Sequence, residues 1–547
     1  MKTQLASLSS LSRSNKNHYP HKHLQSLLDG YVDFSGVENC ELTFKGLSLS
    51  SKEVHEEYLF LACAAVGNSP HHGIAYAGEA INSGASCIAW EPTQELNDMP
   101  VSCPVPNVEN KADVPLVRVE KLHEKLGEIA ARFYQHPSHD LNVIGITGTN
   151  GKTSTAHFIA QLRSLMSDAQ CAVIGTLGNG LYGQLEASTH TTPDAVTLQA
   201  LIAQYKEQKA DTLVMEVSSH ALSQGRVNAV EFDSAVLTNL TRDHLDYHGD
   251  MQAYADEKLK LFQLSSLKQI IVNQDDAFSQ VIIDSVARQD SIKESIISRY
   301  SRADNSADYY ANDICLDNEG ISFSLSVNEK EYAVKSQLVG EFTIENLLAA
   351  IAILHRQGYD LNDIVAGVAK ITTVSGRMEK IRIQPFADKN KMSEQRLIVI
   401  DYAHTPDALE QVLKALKIHT KGNLYCVFGC GGDRDKGKRP LMAKVAQQLA
   451  DQVIVTSDNP RTESEEQIIN DIISGFEHRD NVLIETDRNN AIHKALQALS
   501  TDDVLLIAGK GHEDYQEING QRLPFSDKES VLSFYDFYCD SGHEKGE

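Results

Sequence analysis

No apolar run in the chain approaches the ~20 consecutive residues that a membrane-spanning helix requires. The stretch 59–66 supports a buried strand or helix at most. The first twenty residues are polar, with Ser, Asn and His scattered among them and no continuous apolar block, so no secretory signal is expected there and the expected location is the cytoplasm. Cysteine is sparse. Nine in 547 residues cannot form a disulfide framework, and the closest pair, Cys426 and Cys430, has no second pair to complete a zinc site. Reduced, mostly buried thiols are expected instead. Positive charge is in deficit, with 50 Lys and Arg against 75 Asp and Glu. The resulting formal charge of −25 repels nucleic acid and acidic membranes, so neither is expected as a partner. Any polyanionic substrate must be held by local clusters of Lys, Arg and backbone N–H.

The length exceeds what one hydrophobic core supports. From Asn142 onward, short apolar runs alternate with amphipathic stretches, the pattern of βα units and a largely parallel sheet. Residues 142–147 read as a strand and 152–166 as the helix after it, with further strands at 172–176, 212–217, 234–238 and 269–272. A second series opens at 397–401 and continues at 424–429, 452–456, 482–485 and 504–508, each followed by a helical pattern. The polar segment 386–395 reads as a loop between the two series. The N-terminal third mixes short strands and turns with one helix at 73–83, and a last helix is expected at 526–538. The expected architecture is α/β in three domains: 1–137, a central P-loop parallel-sheet domain at 138–375, and a C-terminal Rossmann-like domain at 376–547.

The unusual polar clusters of the last domain, 401–407, 429–438, 458–463 and 509–513, all fall just after strands. In open parallel sheets ligands bind in the crevice at the carboxyl ends of the strands. One composite site is therefore expected there. A second site is signalled by Thr147-Gly148-Thr149-Asn150-Gly151-Lys152-Thr153, which follows a strand and opens a helix. Gly148 and Gly151 let backbone N–H groups curl around phosphate oxygens, Lys152 reaches the β and γ phosphates, and the Thr153 hydroxyl suits Mg²⁺. The general nucleotide loop has a further glycine where Ile146 stands.

Other residues are ambiguous alone. Glu216 ends a strand beside Ser218 and is either solvated or a Mg²⁺ ligand. His244 and His248 are four apart, but no third ligand at zinc spacing accompanies them, and His248 reads as structural. Lys258, in an amphipathic stretch, reads as a surface lysine. Thr405 before Pro406 suits an N-cap with proline at the first helical position. Thr192 and Asp194 could simply cap the helix that follows them.

The Gly-Thr-Asn-Gly-Lys-Thr loop without the earlier glycine resembles the ATP loop of the Mur ligase family and its relative folylpolyglutamate synthase. Motifs spread over about 140–520 extend the likeness. The resemblance implies ATP on Gly148, Thr149, Asn150, Gly151, Lys152, Thr153 and Ser154, with contacts from Asn346, Asp401 and His404. It implies Mg²⁺ held by Thr153, Glu216, His244 and Lys258, the lysine carrying a CO₂-derived carbamate, and it gives catalytic parts to Lys152, His244, Lys258 and Arg377. Thr191, Thr192, Ser218, Gln224 and Arg226 resemble positions that hold a uridine-linked muramoyl dipeptide. Ser51 lies in a segment resembling a uridine-site motif, with Ser-Ser-Lys where the family usually has Asp-Ser-Arg.

Asp458-Asn459-Pro460-Arg461 resembles the motif of family members that add meso-diaminopimelate, and lysine-adding members lack this arginine. Diaminopimelate has a second carboxylate that a guanidinium grips bidentately. Arg434, Gly509 and Glu513 match the same pocket, with Glu513 set to pair with the substrate ammonium. The implied activity is ATP-dependent addition of meso-diaminopimelate to UDP-N-acetylmuramoyl-L-alanyl-D-glutamate through an acyl phosphate, by a monomer acting on small molecules. The alternatives are the same reaction with L-lysine and, in a different class, a non-catalytic ATP-binding switch.

Overall fold

The computed structural model describes residues 22–34, 41–64, 72–93, 102–103, 114–188, 190–289, 296–316, 320–381, 397–500 and 502–541; the segment 386–395 and the first twenty residues lie outside them. The chain divides into two units. One comprises Met1–Gly145, Ala169–Ser234 and Leu264–Leu267, the other Ile146–Asp168, Ala235–Gln263 and Lys268–Glu547.

In the first unit, a five-stranded sheet runs in the order Gly46–Ser48, Tyr58–Ala62, Ala85–Trp90, Val114–Arg118, Ser102–Cys103, parallel except at the last pair. Where one helix was expected at 73–83, a 3₁₀ turn (Gly73–Tyr76) precedes the α-helix Ala77–Ser83, and Gly84 closes that helix in the left-handed region at φ +116°. The helix Leu122–Tyr134 was not anticipated, although Leu122, Leu126, Ile129 and Phe133 are buried at helical spacing. It starts at Lys121 with no side-chain cap, so the usual start signal is missing from the sequence. The same unit carries the strands Gln170–Gly175 and Ala210–Glu216, parallel as expected. After Gly175 the chain turns back through Gly178–Leu181 and Gln184–Glu186 in antiparallel pairs, which the βα reading missed.

The second unit holds two strand systems. In one, Gln269–Asn273 and Ile296–Ser301 pair in parallel, and then Tyr309–Leu316, Ile321–Val327 and Lys330–Ser336 form an antiparallel meander. No strands were expected over 309–336, so the meander is an addition to the parallel pairs. Ile321, Phe323, Leu325 and Val327 are buried while the residues between them are partly exposed, the alternation of a one-faced antiparallel sheet.

The other system is the C-terminal sheet, ordered Glu379–Ile381, Leu397–Asp401, Val504–Ala508, Leu424–Phe428, Gln452–Val455, Val482–Ile484. All its pairs are parallel except the first. Helices cover both faces: Leu409, Leu413, Met442 and Ile472 pack on one side, and Ile492, Leu496, Val531 and Phe534 on the other. Burial on both faces is why these strands read as continuous apolar runs. The last long strand, Val504–Ala508, inserts between Leu397–Asp401 and Leu424–Phe428, so Gly509–Glu513 emerges in the middle of the carboxyl edge. It is followed not by the expected helix but by the hairpin Tyr515–Ile518/Gln521–Pro524, and only then by the helix Asp527–Ser541. Among the described residues no helix is long and apolar enough to cross a membrane.

Candidate functional site

The strand Asn142–Thr147 leads into the glycine loop, and the helix Lys152–Met166 leaves it, at the bounds expected. Gly148 (φ +148°) and Gly151 (φ +83°) are glycine for two reasons, their backbone angles and the space available. A Cβ on Gly148 would lie 1.9 Å from Thr238 Oγ1, and one on Gly151 would lie 2.3 Å from Asn346 Oδ1. The loop is moulded by residues 238–241. Thr149 N donates to Asn239 O (2.9 Å), Asn150 N to Asn239 Oδ1 (2.9 Å), and Thr238 Oγ1 to Asn150 O (2.6 Å). Nothing in the sequence marked Thr238 and Asn239 as its supports. Lys152 Nζ donates to Gly148 O and Thr149 O, both at 2.8 Å, folded over its own loop where it can turn to an incoming phosphate. Ser154 lies half-buried in the first turn of the helix after the loop.

Lys258 corrects the surface-lysine reading. It is 1% exposed, on the helix Met251–Leu259, and its Nζ donates to Gly148 O (2.9 Å). Burial, then the charge of Lys152, hold its pKa well below the ordinary lysine value. His244 sits at φ +54° just before the short helix Leu245–His248, and His248 packs on the Tyr254 ring. Asp243, which the sequence reading passed over, is buried with His244 Nε2 at 3.4 Å, His404 Nε2 at 3.8 Å and Lys438 Nζ at 4.0 Å. Burial alone would raise its pKa, but these three cationic or protonatable neighbours outweigh it and keep the group ionised. Burial and Lys438 hold the His404 imidazole down to about 4, so it is neutral at neutral pH.

Three further residues, Asn346, Arg377 and Asp407, reach the loop and the first turns of its helix. Asn346 Oδ1 accepts from Thr155 Oγ1 (3.2 Å), and Arg377 Nη2 donates to Thr153 Oγ1 (3.3 Å) with its guanidinium 4.3 Å over the Tyr402 ring. Asp401 is buried and accepts from Met378 N (2.7 Å). Asn150 Nδ2 donates to Asp407 Oδ2 (3.0 Å), a contact the sequence did not foretell. Thr405 caps the helix Pro406–His419 as expected.

In the first unit, Glu216 ends its strand at 1% exposure, accepting from Thr176 N (2.9 Å) and Thr176 Oγ1 (3.2 Å). Thr191 Oγ1 lies 3.2 Å from the same Thr176 hydroxyl. Thr192 Oγ1 donates to Glu216 O (2.8 Å) and accepts from Ser218 N (3.2 Å). Arg226 donates through Nη1 to Thr192 O (2.8 Å) and through Nε and Nη2 to Gln224 Oε1 (2.9 and 2.6 Å). Thr191, Thr192, Ser218, Gln224 and Arg226 thus form one cluster. Asp194 caps the helix Ala195–Glu207, as its local reading anticipated. Ser51 belongs to a separate contact, donating to Glu79 Oε2 at 2.6 Å.

The crevice of the C-terminal sheet assembles the remaining residues. Asp458 and Asn459 are buried. Asn459 Nδ2 donates to Glu513 Oε2 (2.8 Å), and Lys510, 0% exposed and overlooked in the sequence, donates to Asn459 Oδ1 (3.1 Å) and Glu513 Oε2 (2.9 Å). Gly509 (φ +115°) has Asp458 Oδ2 where a Cβ would go. Pro460 O comes so close to Gly432 that only glycine fits there. Arg461 Nη1 donates to Gly432 O (2.7 Å), and Arg434 stays exposed beside it on the Gly431–Asp433 turn. The four post-strand clusters do meet at one edge of the sheet, with the Lys510–Glu513 ion pair buried among them and Arg461 beside Gly432.

Two family models match the chain: the Mur ligase middle domain over residues 146–354, and the Mur ligase glutamate ligase domain over 376–511. The UDP-N-acetylmuramoyl-L-alanyl-D-glutamate–2,6-diaminopimelate ligase of Pseudomonas putida is 44% identical over 483 residues, 88% of this chain and 92% of that protein. The chain belongs to the Mur ligase family. A solved structure of a UDP-N-acetylmuramoyl-L-alanyl-D-glutamate–2,6-diaminopimelate ligase superposes on this Mur ligase with a TM-score of 0.65 at 38% identity, covering 96% of this chain and all of the other. The MurF ligase of Thermotoga maritima, solved in complex with ADP, shares the fold at a TM-score of 0.59 and 17% identity, over 91% of this chain and 98% of its own.

Proposed function

We propose that this Mur ligase joins meso-diaminopimelate to UDP-N-acetylmuramoyl-L-alanyl-D-glutamate at the expense of ATP, a step of peptidoglycan precursor synthesis. The D-glutamate carboxylate attacks the γ-phosphorus of ATP, and ADP leaves. The diaminopimelate amine then attacks the acyl phosphate carbon, phosphate leaves, and the amine proton is released. Phosphoryl transfer of this kind asks the protein for positioning and charge neutralisation more than for covalent chemistry.

Roles follow from the surroundings of each residue. Lys152 and the backbone N–H groups of 148–153 take the phosphates, Asn346, Asp401 and His404 serve the nucleoside side, and Arg377 stabilises charge on the transferring group. Thr191, Thr192, Ser218, Gln224 and Arg226 orient the muramoyl dipeptide. The C-terminal crevice takes the amino acid, with Glu513 on an ammonium and Arg461 on the second carboxylate. We assign residues 1–137, 138–375 and 376–547 to nucleotide-sugar, ATP and amino acid respectively. We also infer that this happens in the cytoplasm.

Thr153, Glu216, His244 and Lys258 are the proposed Mg²⁺ residues. The ion would neutralise charge on the β and γ phosphates. Glu216 suits that role because it is a buried carboxylate at the end of its strand, accepting from Thr176 N and Thr176 Oγ1. Lys258 suits carbamylation because only a neutral amine adds CO₂, and burial beside Lys152 favours the neutral amine.

The observation that carries the choice of amino acid is Arg461 at the rim of a crevice whose floor holds Glu513, Asn459 and Lys510. The test is phosphate release with the muramoyl dipeptide and either diaminopimelate or lysine in parallel. Release is expected with diaminopimelate, and Arg461→Ala should lower kcat/KM for it by about 30-fold or more, the cost of removing one side of a charged pair. Release with lysine alone would replace the amino acid. None with either would leave an ATP-binding switch.

A further inference from the structure

The hairpin Tyr515–Ile518/Gln521–Pro524 comes between the last strand of the sheet and the helix expected after it, and nothing in the proposed reaction uses it. Its turn, Asn519–Gly520, has φ of +48° and +74°, the two positive values that a two-residue type I′ turn demands. The second strand is exposed at all four positions, so the hairpin buries little of its own, and an isolated two-stranded hairpin is barely stable in water. Among the described residues its hydrogen bonds to the rest of the molecule run to the segment 458–461, and Lys510 Nζ lies 5.5 Å over the Tyr515 ring.

The attachment is dense. Gln516 Nε2 donates to Asp458 O (2.7 Å), and Glu517 N donates to Asn459 Oδ1 (2.9 Å). Arg461 N donates to Glu517 O (3.0 Å), and Asn519 N donates to Arg461 O (2.7 Å), so Arg461 pairs with Ile518 as a single parallel bridge. Arg461 is itself in the left-handed region, φ +52°, a conformation that a side-chain-bearing residue avoids unless its surroundings impose it. The two main-chain bonds to the hairpin are what impose it. The side chain is fixed from both ends as well, with Nη1 on Gly432 O (2.7 Å) and Nε 3.7 Å from Glu517 Oε2. That leaves the outer Nη1–Nη2 edge of the guanidinium to offer paired donors to a carboxylate.

We propose that the hairpin 515–524 is a positioning element that sets Arg461, and through it the preference for an amino acid with a second carboxylate over one without. This rests on the functional reading above and deepens it. The loop 458–461 supplies the arginine, and the hairpin supplies its direction. Gln516 and Glu517 are positioning residues in this account and touch no reacting atom.

Gly520→Val tests it, because no atom lies within 4 Å of the added Cβ and only the positive φ is strained. Kinetics are measured on the full chain with ATP, the muramoyl dipeptide, and diaminopimelate or lysine. The expected result is about a tenfold or greater rise in KM for diaminopimelate, a fall of the same size in its advantage over lysine, and unchanged KM for ATP and for the muramoyl dipeptide. In an Arg461→Ala background, Gly520→Val should add almost nothing, since the residue it positions is gone. Equal losses for every substrate, or an effect that adds in full to Arg461→Ala, would overturn the proposal. Should Gly520→Val fail to fold, Gln516→Ala removes the bond to Asp458 O without touching the turn, and the same pattern is required of it. Wild-type enzyme inactive with diaminopimelate would sink the functional reading and this inference together. Active wild type with an indifferent hairpin would sink only the inference.

Discussion

The glycine loop and the C-terminal crevice, the two places proposed for anionic groups in a protein of formal charge −25, are built differently. In the loop, the donors are consecutive in the chain, and two glycines fit them against two neighbours, Gly148 against 238–239 and Gly151 against Asn346. In the crevice, the working residues come from five segments (401–407, 429–438, 458–463, 509–513 and the hairpin) that meet only because the strands before them lie side by side. The loop's donors are consecutive, and neither Gly148 nor Gly151 has room for an added atom. The crevice is specified by packing at a distance, and its charges are balanced in pairs such as Lys510–Glu513 and Arg439–Glu463. A mutation in the loop should therefore act on the nucleotide alone, whereas one beneath the crevice should act on stability as well.

The sharpest way to break that contrast is Gly148→Ala. The new methyl would meet Thr238 Oγ1 and the backbone could not stay at φ +148° without strain. Phosphate release should fall by about a hundredfold or more, as expected when phosphate-positioning geometry is lost, while a thermal melt changes little. A variant with near-normal turnover would show that the loop is not specified by its glycines.

Arg488→Met probes the other side. Arg488 and Asp527 are both 0% exposed and bidentately paired, and Arg488 Nη2 also donates to Ala508 O (2.9 Å), next to Gly509. Removing the guanidinium leaves the Asp527 carboxylate buried without its partner, at a cost of about 3–5 kcal/mol. Urea denaturation reads this directly, and Arg488→Met/Asp527→Leu should recover much of the loss. A loss below about 1 kcal/mol would mean that water replaces the pair, contrary to the burial.

The smallest effect concerns acid. His157, on the helix that leaves the phosphate loop, is buried, and burial followed by the charge of Arg377 lowers its pKa to about 4. The unfolded histidine titrates near 6.5 and so takes up its proton only on unfolding in this range. Its contribution is complete above about pH 6.5 and is lost as the pH falls towards 4, by about 2 kcal/mol between pH 7 and 5. The melting temperature of the wild type should drop over that interval, and that of His157→Gln should drop less. Identical slopes would show that the imidazole reaches water in the folded protein.

Much of this was legible without coordinates, and the reasons are physical. Strands buried on both faces, such as 397–401 and 504–508, announce themselves as apolar runs, and the helix 152–166 was bounded correctly because a glycine turn precedes it and its apolar residues recur on one face. The post-strand clusters pointed to one crevice because parallel sheets put all carboxyl ends on one edge. The helix Leu122–Tyr134 escaped because it lacks a capping residue, and the meander 309–336 escaped because alternation over seven residues was read against a βα background.

Residue type and spacing determined the βα organisation, the phosphate loop and the family, since each depends on neighbours within a few positions of the chain. Only the tertiary structure decided that Lys258 is buried with its pKa lowered, that Asp243 gathers two histidines and a lysine, and that a hairpin pairs with the backbone of Arg461. Burial, electrostatic environment and a left-handed φ are properties of what surrounds a residue, and the surroundings come from parts of the chain that sequence spacing does not bring together.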